Sequence, residues 1–166
     1  TVLLPSQVLL AGTPAARTAL AVLRRFDFDP VLRRMSVLAQ HVPLDRVRGR
    51  APAPAAPAVH ATLLCKGAPE SIKAACDPAS VPADFDATLR ELAVAGFRVL
   101  ACAVRPLTAP DAAAAAAWLQ QPRAELEERM LFAGFLVMEN RLKPTTALFL
   151  DTYIRAGLRC IMVTGD

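Results

Sequence analysis

The large apolar side chains of this chain gather into short runs, at 61–65, 97–104, 131–138 and 159–163. Runs of that length, separated by helix-forming and turn-forming sequence, suit short buried strands lying between helices. A membrane-spanning helix needs roughly 20 continuous apolar residues, and no run approaches that. The hydrophobic fraction of 54% does not disturb this reading, because alanine inflates it and only 5% of residues are aromatic. With 166 residues the chain has length for one ordinary domain and a piece of a second. The expected class is α/β.

Thr1 to Pro5 carry neither a basic region nor a cleavage pattern, so no secretory signal is expected. The chain starts without methionine, and the expectation is a fragment of a longer protein. A net charge of +4 and a pI near 9.2 invite a nucleic-acid reading. The basic residues are scattered, however, and no aromatic side chains interleave with them as a stacking platform. Nucleic acid is not an expected partner; a mildly basic surface also suits a nucleotide. Cys65, Cys76, Cys102 and Cys160 show no Cys-x-x-Cys spacing, and the histidines are His41 and His60. That arrangement encourages neither a zinc site nor a disulfide framework, and reduced thiols in the cytosol are expected. Cys65, Cys102 and Cys160 lie in apolar runs, where a thiol usually behaves as a small buried hydrophobe.

Along the chain, strands are expected over 19–28 and 35–42, joined by a turn at Asp29-Pro30. The Pro/Ala/Arg-rich segment about 46–59 reads as a solvated loop or insertion. A strand over 60–65 then runs into Lys66-Gly67-Ala68-Pro69-Glu70. Pro69 suits the first helical position and Glu70 the positive end of a helix dipole, which predicts a helix over 69–75. A second helix over 83–95 would present Phe85, Leu89, Leu92 and Val94, with Gly96 as its C-terminal cap. A strand over 97–104 follows. The alanine-rich stretch 107–122 has little to bury and is open to a flexible loop or a short exposed helix. A charged helical turn or two over 123–130 leads into a strand over 131–139, a helix over 145–156 and a strand over 159–163. The last three would be a strand–helix–strand unit of a parallel sheet. Thr164-Gly165-Asp166 would then fall where open α/β sheets collect ligands.

Several residues could carry chemistry, and each also has a plain structural reading. Phe28 could stack a purine, with Arg33 and Arg34 holding phosphates, or it could face a core beside a solvated strand. Lys66 could project over a cleft as a point charge for a phosphate or purine edge, or be a surface lysine beside a capping turn. Arg98 could snorkel to solvent or reach into a polar site. Asn140, Arg141 and Lys143 could line the same cleft or mark a polar hinge. Thr164, Gly165 and Asp166 could contact a phosphoryl group or form a simple turn.

The order of these pieces carries more than any one of them. Phe28 followed by Arg34-Met35-Ser36-Val37, then Cys65-Lys66-Gly67-Ala68-Pro69-Glu70, then Gly96-Phe97-Arg98-Val99-Leu100-Ala101, resembles the nucleotide-binding domain of P-type ATPases. Leu131-Phe132-Ala133-Gly134-Phe135, Met138-Glu139-Asn140-Arg141-Leu142-Lys143 and Met162-Val163-Thr164-Gly165-Asp166 resemble the return into the phosphorylation domain. The spacing Phe-x-Phe-x-x-x-x-x-Arg-Met-Ser-Val, Ser80-Val81-Pro82-Ala83-Asp84-Phe85 and the Pro144 after Lys143 are similar to the type V class. Within it they are closer to the B branch, the 13A cation- and polyamine-transporting group, than to the A branch.

The resemblance implies an antiparallel sheet flanked by helices over 1–139, with insertions about 46–59 and 107–122. It implies a piece of a haloacid-dehalogenase-like, parallel-sheet phosphorylation domain over 140–166. It further implies that Phe28 stacks on adenine, that Lys66 and Gly67 line the adenine pocket, and that Arg33 and Arg98 meet the nucleotide. Asn140 and Lys143 would lie at the interdomain hinge, and Thr164, Gly165 and Asp166 at the phosphoryl site. ATP and Mg²⁺ are the implied cofactors, and the remaining phosphorylation, actuator and transmembrane domains the implied partners, with no direct membrane contact by this segment. The implied setting is the cytosolic face of late endosomes or lysosomes for the B branch, or of the endoplasmic reticulum for the A branch. Two departures stand out. Asp29-Pro30 replaces the small serines usual beside Phe28. The Asp-Lys-Thr-Gly-Thr motif, whose aspartate takes the phosphate, is absent from this chain, as are the Thr-Gly-Glu and Gly-Asp-Gly-x-x-Asn-Asp motifs. Phosphoryl transfer needs nucleophile, metal and aligned phosphates together, so this chain alone is expected to bind nucleotide without turnover. The rival expectations are a stand-alone α/β interaction module without a nucleotide site and a haloacid-dehalogenase-like phosphatase. The phosphatase lacks its nucleophilic aspartate at an upstream strand end.

Overall fold

In the computed structural model the described residues are 2–3, 18–43, 58–139 and 143–163. Strand β1 (Val2–Leu3) lies at the edge of β2 (Thr18–Asp29), which turns back as β3 (Arg34–Pro43). Three further strands follow, β4 (Val59–Gly67), β5 (Arg98–Ala109) and β6 (Leu131–Met138). Their order in the sheet is the order in the chain, and every neighbouring pair is antiparallel. Antiparallel sheets tolerate one solvated face, and the alternation in β4 shows which face that is. Ala61, Leu63 and Cys65 are buried, whereas Leu64 and Lys66 are exposed.

The buried face continues through Ser36 and Leu38 of β3 and Ala101 and Ala103 of β5. Helices α1 (Pro69–Ala75) and α2 (Phe85–Val94), with the shorter α3 (Ala112–Ala116) and α4 (Arg123–Leu126), supply the other half of this layer. Ile72, Trp118, Leu126 and Met130 join the sheet residues in one core. Pro69 opens α1 with Glu70 in its first turn, as its sequence predicts. The end of α2 is a Schellman cap: Gly96 has φ +83°, Phe97 N–H donates to Leu92 O, and Gly96 N–H to Ala93 O.

Three expectations need correction. Val94 does not share the buried side of α2, where Phe85 is buried and Leu89 and Leu92 are half-buried; it is exposed. The stretch 107–122 begins as strand rather than as loop or helix, and the short, mostly exposed helix it also allowed follows, with Ala115 the buried residue of its five. β5 runs on to Ala109, and α3 is capped by the Asp111 carboxylate, which accepts from Ala114 N–H at 2.8 Å. Trp118 in the following turn is buried, and this large ring is the apolar anchor that the run of alanines obscures. The strand expected over 159–163 does not form, and Ile161, Met162 and Val163 are largely exposed. A parallel strand is stable only with neighbours on its edges and cover on its faces, and no described element provides either. The preceding helix, α5 (Thr146–Arg155), buries none of its residues.

The described cysteines are all free thiols. Cys65 and Cys76 are buried and Cys102 half-buried, but Cys160 is exposed, contrary to the expectation for an apolar run. Burial pushes the Cys65 thiol up to about 12. Because the folded pKa lies above the unfolded one, the folded state keeps this proton longer, and the associated stability is present below the unfolded value. It is then lost as pH rises from the ordinary thiol range toward about 12. A Cys65→Ala chain is expected to lose less stability than the parent between pH 8 and 10. Equal slopes of unfolding free energy against pH in the two chains would refute this.

Candidate functional site

A meander of antiparallel strands brings alternate strand ends to the same edge of the sheet. The end of β2, the start of β3, the end of β4, the start of β5 and the end of β6 all lie at one end. Phe28, Arg33, Lys66, Gly67 and Arg98, far apart in sequence, are therefore collected there.

The β2–β3 turn is built by Asp29-Pro30. The Asp29 carboxylate accepts from the N–H groups of Val31 (2.8 Å) and Leu32 (2.9 Å), and its carbonyl accepts from Arg33 N–H at 2.7 Å. These backbone donors hold the Asp29 carboxyl below its usual range. The departure at Asp29-Pro30 thus gives a well-tied turn. Pairing shifts by a residue between Phe26 and Asp29. Phe26 pairs with buried Ser36 and packs on the core, where the Arg24 guanidinium stacks on its ring at 4.3 Å. Past the bulge, Phe28 is 61% exposed. The reading of Phe28 as a core residue is thereby overturned.

Lys66 is exposed on the open face. Its cross-strand neighbours are Met35 on one side and Cys102 on the other, and Cys102 in turn faces Gly134. Burial raises the Cys102 thiol and the Lys66 ammonium pulls it back, so the two side chains feel each other. Arg98 lies four residues before Cys102, two same-face steps or about 13 Å along the strand; it pairs with Met138 and is exposed. Between these charges the open face is apolar, with Leu100 half-buried and its cross-strand partner Leu136 exposed, and Val37 and Leu64 continue it on the far side of Lys66. Two cations bordering an apolar floor can take a ligand with a flat apolar part and an anionic part.

Gly67 is needed for a different reason. A Cβ built there would lie 2.5 Å from Arg33 O and 2.6 Å from Arg34 Cβ. The end of β4 thus presses on the turn, and Ala68 N–H donates to Arg33 O at 2.9 Å. Arg33 itself has φ +49°, uncommon for a non-glycine residue, and its guanidinium pairs with Glu70 of α1 at 2.6 Å.

Arg34 does not behave as a phosphate ligand. It points into the opposite layer, where its Nε donates to Glu127 Oε2 at 2.7 Å. Glu127 is fully buried and also accepts from Arg123 Nε (2.8 Å) and Ser36 Oγ (2.5 Å). Arg123 further donates to the carbonyls of Arg34 (2.9 Å) and Asp27 (3.2 Å). This network, missed in the sequence, fixes the turn that carries Phe28 and Arg33. Its one sequence signal is the i,i+4 spacing of Arg123 and Glu127.

Lys143 is exposed, beyond the end of β6. Asn140, Thr164, Gly165 and Asp166 lie outside the described residues. Among the described residues, no three His, Cys, Asp or Glu side chains come together to hold a metal ion. No described helix is long and apolar enough to cross a membrane. A half-open groove of about 730 Å³ lies elsewhere, between α1 and α2 and lined by Lys73, Val81, Phe85 and Leu89. None of the predicted site residues lines it, and the open sheet face answers the site chemistry better.

No protein-family model matches the chain. Individual proteins do. Over 88% of its length the chain is 38% identical to the mouse protein named "Polyamine-transporting ATPase 13A2". It is 34% identical over 98% of its length to the human "Polyamine-transporting ATPase 13A3". Against the human "Probable cation-transporting ATPase 13A4" the identity is 33% over 89% of the chain. The chain spans only 11–13% of the length of these relatives.

Proposed function

Because this chain belongs to the 13A group of P-type ATPases, we propose that its sheet is the nucleotide-binding part of a longer ATP-driven transporter. One observation carries this reading: Phe28, Lys66 and Arg98 gather at one end of the open face, with Gly67 packed beneath the turn beside Lys66 and Arg33 on the adjoining turn. Phe28 stacks on the adenine ring, Lys66 borders the purine, and Arg33 and Arg98 attract the phosphates. The longer protein would pass the terminal phosphoryl group to an aspartate outside this chain and couple that step to moving a cation or polyamine across an internal membrane. Magnesium would bind with the nucleotide phosphates in the complete protein, where Thr164, Gly165 and Asp166 would help hold it and the phosphoryl group. The transported substrate is inferred from the names of the relatives, and the internal membrane from the type V resemblance alone.

The division of the chain is part of the same proposal. Residues up to 139 form the nucleotide-binding unit, and 140–166 begin the phosphorylation domain. Support comes from α5, whose Leu148, Phe149 and Ile154 stay exposed as if they belong against residues beyond this chain.

Titrating ATP into the 166-residue chain while following amide NMR shifts tests both points. Shifts are expected around Phe28, Lys66 and Arg98 and not in 146–163. Phe28→Ala and Lys66→Ala are each expected to weaken ATP binding while leaving the spectrum folded. Removing a stacked ring costs about 1–3 kcal/mol, or roughly 5- to 150-fold in affinity for Phe28→Ala. A folded parent with no shift at these residues would sink the nucleotide reading. Unfolding by either substitution would favour the interaction-module reading, in which both side chains only pack.

A further inference from the structure

We infer that Glu70 is an internal competitor for the nucleotide phosphates: it holds Arg33 in an ion pair that ATP must displace. This inference rests on the nucleotide reading above and concerns a residue which that reading leaves without a role. The two adjacent arginines of the β2–β3 turn diverge. Arg34 is spent on buried Glu127, so Arg33 is the cation that the turn offers outward.

The Arg33 backbone is pinned from both sides. Its N–H donates to Asp29 O at 2.7 Å, its carbonyl accepts from Ala68 N–H at 2.9 Å, and Gly67 lies directly beneath it. With φ at +49° and both polar groups committed, the side chain leaves the turn in a fixed direction, toward the first turn of α1. There its Nη2 meets Glu70 Oε1 at 2.6 Å. A carboxylate and a phosphate present alike oxygen pairs to a guanidinium, so Glu70 occupies the position on Arg33 that a phosphate oxygen would take. Both partners remain more than half exposed, at 52% and 57%. The pair is therefore weak enough for a polyanion to open, and it sets the level of affinity without abolishing binding.

The test is a titration of the chain with ATP and, separately, with adenosine, in four forms: parent, Glu70→Gln, Arg33→Ala and the double variant. Glu70→Gln is expected to tighten ATP binding about two- to five-fold, the range open to an exposed ion pair. Adenosine, which has no phosphate, should bind both chains alike. In the Arg33→Ala background, Glu70→Gln should change nothing, because the competition needs the guanidinium. Unchanged or weaker ATP binding in Glu70→Gln overturns the inference. So does equal tightening for adenosine, or tightening that persists without Arg33, which would be a general charge effect. Should Glu70→Gln disturb the helix start, Glu70→Asp keeps an acid there with a shorter reach; it is expected to tighten ATP in the same direction, and no change overturns the inference. If the parent binds adenosine and ATP but the four forms do not separate, the competition fails and the nucleotide reading survives. If the parent binds neither ligand, both fall.

Discussion

Replacing Glu127 with alanine is expected to lower the unfolding free energy by about 3–5 kcal/mol, the cost of leaving buried charges without their partner. The magnitude follows from burial. An exposed pair such as Arg155–Asp151 contributes little, because water already solvates both groups. Glu127 is fully buried, and its two oxygens receive Arg34 Nε at 2.7 Å, Arg123 Nε at 2.8 Å and Ser36 Oγ at 2.5 Å. Without it, two mostly buried guanidiniums face one another and a buried hydroxyl loses its acceptor. Urea unfolding measures the effect, with the midpoint moving while the slope stays constant. A loss under about 1 kcal/mol would show that the carboxylate is not the keystone drawn above. The same substitution should broaden the amide signals around Phe28 and Arg33, since Arg123 also ties down the carbonyls of Asp27 and Arg34.

That network marks the boundary of what local sequence could tell. Strand and helix assignments were legible wherever the apolar period or a cap spoke for itself. The strand over 60–65, Pro69 opening α1 and Gly96 closing α2 all recur in the structure. The gathering of Phe28, Lys66 and Arg98 was legible only through family resemblance, because a residue's place at a sheet end depends on the topology of every strand before it. Phe28 illustrates the difficulty. Simple alternation from Phe26 puts it on the core face, and only the shift in pairing before Asp29 turns it outward. Arg33 and Arg34 are likewise indistinguishable in sequence. Their opposite fates are decided by Glu127, more than ninety residues away. Trp118 was hidden by its context, since a run of alanines with nothing large nearby reads as exposed. The missing strand at 159–163 fails for the converse reason: its apolar pattern is sound, but pairing is a property of neighbours, and the described residues offer none.

The effect expected for Gly67→Ala shows how closely fold and site are joined at this edge. The substitution adds one carbon, and that carbon would lie 2.5 Å from Arg33 O, 2.6 Å from Arg34 Cβ and 2.8 Å from Arg34 Cα. None of these is the loose end of a flexible side chain, so relief requires moving backbone. The turn cannot yield freely, because Arg33 is held at both its N–H and its carbonyl while Arg34 is anchored to Glu127. The cost should therefore reach the upper part of the range for overpacking, about 3 kcal/mol. Gly96→Ala is the informative contrast. No atom lies within 4 Å of a Cβ there, and only its φ of +83° opposes the change, a backbone penalty of about 1 kcal/mol. Urea unfolding of the two variants should separate crowding from conformational strain. ATP titration adds a second axis, since Gly67→Ala displaces Arg33 and Lys66 relative to one another while Gly96→Ala leaves both in place. A Gly67→Ala chain as stable as the parent would mean that the end of β4 does not press on the turn. The lysine, the glycine and the arginine would then be neighbours by sequence resemblance only, and the case for a single nucleotide site built from them would lose its geometric basis.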